Sequence, residues 1–150
     1  MNKNLRHNIK SRHAAIFFFI VLADQYFKFL AKNFLYCSEI NFRIIKFIYA
    51  ENSGISFGLF GDKKMYLVLL AVILNILAAF FYLKKFLNYC GATPIIFILS
   101  GTISNFLDRF FYKFVVDYIS VPIFPAIFNL ADCFICVGTF LVIFKILKKY

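Results

Sequence analysis

Apolar residues run in long blocks with short polar interruptions, and these blocks set the architecture. Four of them, residues 14–31, 65–83, 93–111 and 126–147, stand out. Each holds close to the ~20 residues that carry a helix across ~30 Å of hydrocarbon. The second is the cleanest, with Asn75 as its one strongly polar residue. The other three carry polar residues at selected positions, as spans lining a site do.

Between the blocks the period changes. Ile40, Phe42 and Ile44 alternate with Asn41 and Arg43, and residues 44–49 are rich in β-branched and aromatic side chains. That pattern predicts one or two short strands in an outer loop, 32–64, ending at the turn Asn52-Ser53-Gly54. A small sheet on the outer membrane face, with Phe and Tyr at the interface, is expected there. The second outer loop, 112–125, contains Asp117, Pro122 and Pro125. Thr93-Pro94 is expected to open the third span, Thr as N-cap and Pro as first helical residue. Asn129 lies at the outer start of the fourth span, suited to capping it or tying loops together. The expected fold is an integral membrane, mainly α protein. It is one domain over 1–150, with four transmembrane helices and a small extracytoplasmic β-sheet in the first outer loop.

Composition supports this frame. The chain is 63% hydrophobic, with 23 Phe and a mean hydropathy of +0.81. Soluble domains sit nearer ~45–50%. The net charge of +10 raises the question of nucleic acid, and its distribution answers it. Lys3, Arg6, Lys10 and Arg12 precede the first span, Lys84 and Lys85 separate the second from the third, and Lys145, Lys148 and Lys149 close the chain. All seven acids lie in the spans or in the other two loops. Four spans put both termini and the basic middle loop on one side, which the positive-inside rule makes cytoplasmic. An integral membrane protein with cytoplasmic termini that binds no nucleic acid is expected. The N-terminal run also resembles a signal peptide cleavable after Ala23. Cleavage there would leave an odd number of spans and an external basic C-terminus, so a retained first span fits better. Cys133 and Cys136 form C-x-x-C within an apolar helix, without further ligands nearby, and are expected to pack rather than bind metal. Cys37 and Cys90 fall on opposite sides of the membrane.

Acidic residues beside membrane spans are costly and usually have a task. Asp24 is ~15 Å along the first span, with Lys28 four residues later on the same helical face, so an intramembrane ion pair with a structural role is expected. Asp108, Asp117 and Asp132 all fall near the outer interface, and Asn105 and Arg109 accompany Asp108. Two of these carboxylates sharing a proton would suit peptide hydrolysis. Spacing alone leaves the choice among the three open. His7 and His13 are both in the cytoplasmic tail, away from the outer serines, so no Ser-His or Cys-His pair is expected on the outer side. Ser–Lys chemistry, with Ser53, Ser56, Ser100, Ser104 or Ser120, has no distinguishing arrangement.

Five motifs sharpen this. Asp24-Gln25 with Lys28, Asn52-Ser-Gly54-Ile-Ser-Phe57-Gly58, Gly101-Thr-Ile-Ser104-Asn105-Phe-Leu-Asp108-Arg109, Val115-Val-Asp117-Tyr118-Ile119 and Phe128-Asn129-Leu-Ala131-Asp132 through Gly138 occur in this order. Together they resemble signal peptidase II, a family of bacterial membrane aspartyl proteases that process lipoproteins. The resemblance spans nearly the whole chain. It implies Asp117 and Asp132 as the catalytic pair, with Asn52, Gly54, Asn105, Asp108, Arg109, Asn129 and Ala131 supporting site or substrate. Asp24 and Lys28 are then structural. It implies cleavage of diacylglyceryl-modified prolipoproteins before the lipidated cysteine, at the outer face, by a monomer among membrane lipids with no cofactor or metal. Three positions depart from the family pattern. Ser104 and Lys113 stand where glycine is common, and Tyr118 where phenylalanine is usual. Competing readings are a four-span transporter using Asp24 and a non-enzymatic membrane scaffold.

Overall fold

The computed structural model describes residues 3–53 and 91–148, with side chains from residue 11 onward. The expected second span (65–83), Gly54, Phe57, Gly58 and the middle-loop lysines lie outside these residues. The described elements are helix α1 (Lys3–Phe34), strands β1 (Ile40–Asn41) and β2 (Lys46–Asn52), helix α2 (Ala92–Tyr112), strands β3 (Val115–Val121) and β4 (Phe124–Phe128), and helix α3 (Leu130–Leu147).

Helix α1 begins eleven residues before the first apolar block and ends three after it. Its inner face shows helical spacing, with Ile20, Val21, Asp24, Lys28 and Ala31 buried. Phe18, Phe19, Leu22 and Phe29 face outward. Helix α3 likewise exposes Val137, Phe140, Phe144 and Leu147. Outward apolar faces suit hydrocarbon surroundings rather than water. Ser11–Phe34 and Leu130–Leu147 are long and apolar enough to cross a membrane. Helix α2 has 21 residues but buries Ser100, Ser104, Asn105 and Asp108 on its inner side.

Helices α2 and α3 touch at two glycines. A Cβ on Gly101 would lie 2.4 Å from the Ala131 carbonyl oxygen, and one on Gly138 would lie 2.7 Å from that of Pro94. Small residues allow this backbone-to-backbone approach.

The sheet differs from the expected one. It has four antiparallel strands in the order β1-β2-β3-β4, so the second outer loop supplies half of it. Asp117 therefore sits on a strand, opposite Ala50, rather than in an open loop. Pro122 and Pro125 explain the change. A residue before proline avoids helical dihedrals, so Val121 and Phe124 stay extended. The fourth helix consequently starts at Leu130 instead of 126. Pro125 falls on the edge strand, where a missing N–H costs no ladder bond. The alternation at 40–44 yields only a two-residue β1, after which the Phe42 N–H donates to the Ile45 carbonyl to turn the chain.

Because Lys46 pairs with Ser120, the β1–β2 and β3–β4 turns lie at the same end of the sheet. Phe42, Ile44, Ile123 and Phe124 are exposed there. At the inner side, Ala31 and Leu35 of the first helical region pack against Val116 and Tyr118.

Two helix ends also need correction or comment. Thr93 is not the cap of α2. The helix starts at Ala92 after Gly91, which has φ of 71° and makes no side-chain cap bond. Pro94 still falls in the first turn, where backbone N–H groups lack intrahelical partners. At the other end Lys113 adopts the left-handed conformation, φ 70° and ψ 0°, and its N–H donates to the Arg109 carbonyl. This turns the chain from α2 into β3 within two residues. A side chain in this region costs about 1–2 kcal/mol, part of which glycine regains. Lys113→Gly is therefore expected to raise stability by up to ~1 kcal/mol. A thermal melt of the purified variant checks this.

Candidate active site

The site is built where α1, α2, β2, β3 and α3 converge. Asp132 is the third residue of α3 and completes a capping box. The Asn129 side chain accepts from the Asp132 N–H at 2.9 Å, and Asp132 Oδ2 accepts from the Asn129 N–H at 3.2 Å. Two orphan donors of the helix start are thereby satisfied.

Asp117 is buried on β3, with an exposure of 2%. Asn52 Nδ2 donates to its Oδ2 at 2.9 Å, and Asn129 Nδ2 donates to its Oδ1 at 2.7 Å. Asn129 thus touches both carboxylate-bearing segments. Asn105 Nδ2 donates to Asp132 Oδ1 at 2.8 Å, and Asn105 Oδ1 accepts from Asn129 Nδ2 at 3.1 Å. The two aspartates are linked by a bridge of two amides. Among the described residues, every buried side-chain nitrogen and oxygen has a partner.

Burial pushes the Asp117 carboxyl up from the ordinary 3.8 to about 6. The Asn52 hydrogen bond opposes this, the charge of Asp132 adds to it, and Asn129 and Lys28 oppose it. The direction fixes a stability consequence. Between about pH 4 and 6 the folded chain retains a proton that the unfolded chain has released, so stability falls as pH rises through that window. The loss assignable to Asp117 is about 2–3 kcal/mol. Asp117→Asn is expected to remove that part of the slope, which unfolding measurements at several pH values would reveal.

Beneath the pair lies a second polar layer. Lys28 Nζ sits 2.7 Å from Asp24 Oδ2, 2.9 Å from Asp108 Oδ2 and 2.8 Å from Asn105 Oδ1. The ion pair expected from the 24/28 spacing is present, and Asp108 joins it. Asp108 is not engaged with its neighbour Arg109 here. Its Oδ2 also accepts from the Val116 N–H, and its Oδ1 from Gln25 Nε2 at 2.8 Å. Asp24 is fully buried, with Oδ1 accepting from the Ala131 N–H and Oδ2 from Ser104 Oγ at 2.6 Å. Arg109 Nη1 donates to the Asn105 carbonyl at 3.3 Å and lies within the fields of Asp132, Asp117 and Asp108.

Three participants were absent from the sequence-derived site. Gln25 Nε2 ties Asp108 to the Ser104 hydroxyl and carbonyl. Ser104 places a hydroxyl on Asp24 that glycine could not supply. The Tyr118 hydroxyl accepts from the Leu130 N–H, a contact that phenylalanine cannot make. Ser104 and Tyr118 were visible as departures from a family pattern. Gln25 carried only its place beside Asp24. Gly54 lies outside the described residues. No group of three or more His, Cys, Asp or Glu able to hold a metal occurs among the described residues.

Comparison with known proteins places the whole chain. The family model for signal peptidase (SPase) II matches residues 16–148. A lipoprotein signal peptidase from Caldanaerobacter subterraneus subsp. tengcongensis is 35% identical over 135 residues, which cover 85% of this chain and 92% of the relative. One from Chlamydia felis is 41% identical over 101 residues, covering 63% and 61%. A bacterial membrane enzyme solved by the in meso method at 1.9 Å resolution superposes with a TM-score of 0.83 at 25% identity, covering 93% of this chain and 95% of that one. The chain belongs to the signal peptidase II family.

Proposed function

We propose that this protein is an aspartyl endopeptidase that removes signal peptides from diacylglyceryl-modified prolipoproteins, with Asp117 and Asp132 as its catalytic pair. The observation that carries this reading is the two-amide bridge, which gives each carboxylate donors on both oxygens and links it to the other. The bridge fixes the orientation of both carboxylates on neighbouring segments, as acid–base work on one substrate requires.

In the proposed reaction the ionised carboxylate takes a proton from a water molecule held between the two. The resulting hydroxide attacks the scissile carbonyl, while the neutral partner donates its proton to the carbonyl oxygen. Collapse of the tetrahedral intermediate breaks the C–N bond. The departing amine, that of the lipidated cysteine, receives a proton from the pair. Asn52, Asn105, Asn129 and Arg109 hold the carboxylates and neighbouring backbone, Gly54 is assigned a supporting role by the family pattern, Ala131 lets α3 approach Gly101 closely, and Asp24, Lys28 and Asp108 keep the helices together.

The proposal puts four spans in a bacterial cytoplasmic membrane, both termini in the cytoplasm and the site at the outer face. A monomer among lipids suffices. The exposed apolar turns of the sheet support a seat against the outer leaflet. The transport reading needs Asp24 open to a passing solute. Asp24 instead has both oxygens engaged and no exposure.

The test is incubation of the purified protein with a diacylglyceryl-modified precursor. The expected product begins at the lipidated cysteine by mass spectrometry, and the unmodified precursor stays uncut. Cleavage elsewhere, or none, rejects the substrate assignment.

A further inference from the structure

An Asn side chain has a donor end and an acceptor end, and a site that uses two of them must keep both the right way round. Each amide here faces a group that can only donate. Asn129 Oδ1 meets the Asp132 backbone N–H, so its Nδ2 must turn to Asp117. Asn105 Oδ1 meets Lys28 Nζ at 2.8 Å, so its Nδ2 must turn to Asp132. A reversed Asn105 would point an N–H group at an ammonium and an oxygen at a carboxylate. Lys28 is itself pinned. Its three protons are taken by Asp24, Asp108 and Asn105, one from each direction, and the residue is almost fully buried.

We infer that Lys28 is a positioning residue for cleavage: it fixes the orientation of the Asn105 amide and thereby keeps an N–H donor on Asp132. This rests on reading Asp117 and Asp132 as the catalytic pair. Lys28 donates to neither carboxylate; beyond the field of its charge at Asp117, its action on the pair runs through Asn105. The role goes beyond holding α1 to α2, which the Asp24 and Asp108 contacts already do.

The role separates from simple stabilisation in a double-mutant cycle on cleavage of a lipidated precursor, with rates taken per folded protein. Lys28→Met is expected to lower kcat by roughly 10–100-fold with KM little changed, because the residue orients a support rather than binding substrate. Asn105→Leu is expected to show a similar loss. The combination Lys28→Met/Asn105→Leu should fall within about threefold of Asn105→Leu alone, since one path is lost once. Where Lys28→Met fails to fold, Asp24→Asn/Lys28→Met replaces it in the cycle, removing one charge of each sign so that the net charge of the layer, with Asp108 still present, is unchanged. Losses that multiply in the combination overturn the inference, as does a Lys28 variant that keeps kcat per folded protein. Either result leaves the catalytic pair standing, because that assignment fails only if the Asp117 and Asp132 variants themselves still cleave.

Discussion

Asp117→Asn and Asp132→Asn are each expected to lower the cleavage rate by roughly 10³-fold or more while the protein still inserts and folds. Both substitutions remove a group that can take and return a proton. They also disturb the hydrogen bonding in a definite way. Each oxygen of Asp117 accepts from an amide, one from Asn52 and one from Asn129. Each oxygen of Asp132 likewise accepts, one from Asn105 and one from the Asn129 N–H. An Asn at either position must aim its own N–H at one of these donors. That conflict is of order 1–3 kcal/mol, too small to unfold a well-packed chain yet large enough to move the amide bridge. The measurement is product formation from a lipidated precursor, alongside a melt to show that the variants are folded. Near-normal cleavage by either variant would exclude it from the pair.

The second large effect is steric. Gly101→Ala is expected to destabilise the protein by ~3 kcal/mol or more and to abolish cleavage. The new methyl would meet the Ala131 carbonyl oxygen at 2.4 Å and the Ile135 side chain at 2.8 Å. The first obstacle is backbone and cannot rotate away, so relief requires α2 and α3 to separate. Overpacking ordinarily costs about 1–3 kcal/mol, and a backbone obstacle belongs at the upper end. The separation would act on the very turn of α3 that carries Asn129, Ala131 and Asp132. Lower thermal stability and loss of cleavage together are the expected result. Gly138→Ala, at 2.7 Å from the Pro94 carbonyl, tests the same contact at the far end of the helix pair. It should lower stability with less effect on the site.

Much of this was legible in the residues. Apolar blocks gave α2 and the ends of α1 and α3 to within a few residues; α1 starts eleven residues earlier, in the basic tail, and proline delays the start of α3. The spacing of Asp24 and Lys28 identified a real contact. Spacing could not select between Asp108, Asp117 and Asp132, because all three reach the same depth. The motif resemblance singled out Asp117 and Asp132; in the fold Asp108 is taken up by Lys28, Gln25 and the Val116 N–H, whereas Asp117 and Asp132 share the amides. The sheet was half seen, since its second hairpin lies in a segment whose prolines read as loop. Lys113 looked like an obstacle to the turn before β3, yet it takes the left-handed conformation there. Gln25 could not be found from sequence, because its partners lie about 80 residues away.

The strand order carries a consequence for biosynthesis. β2 emerges from the ribosome some sixty residues before β3, its main partner, and among the described strands has until then the two-residue β1 to pair with. A lone hairpin of that size is marginal in water. Asn52 therefore gains its hydrogen bond to Asp117 only once the chain has been made through β3. Asp117 arrives with β3, and Asp132 follows on the last helix. With Asp117 and Asp132 as the proposed pair, the site closes only when α3 joins the sheet, so proteolytic competence would come last in synthesis.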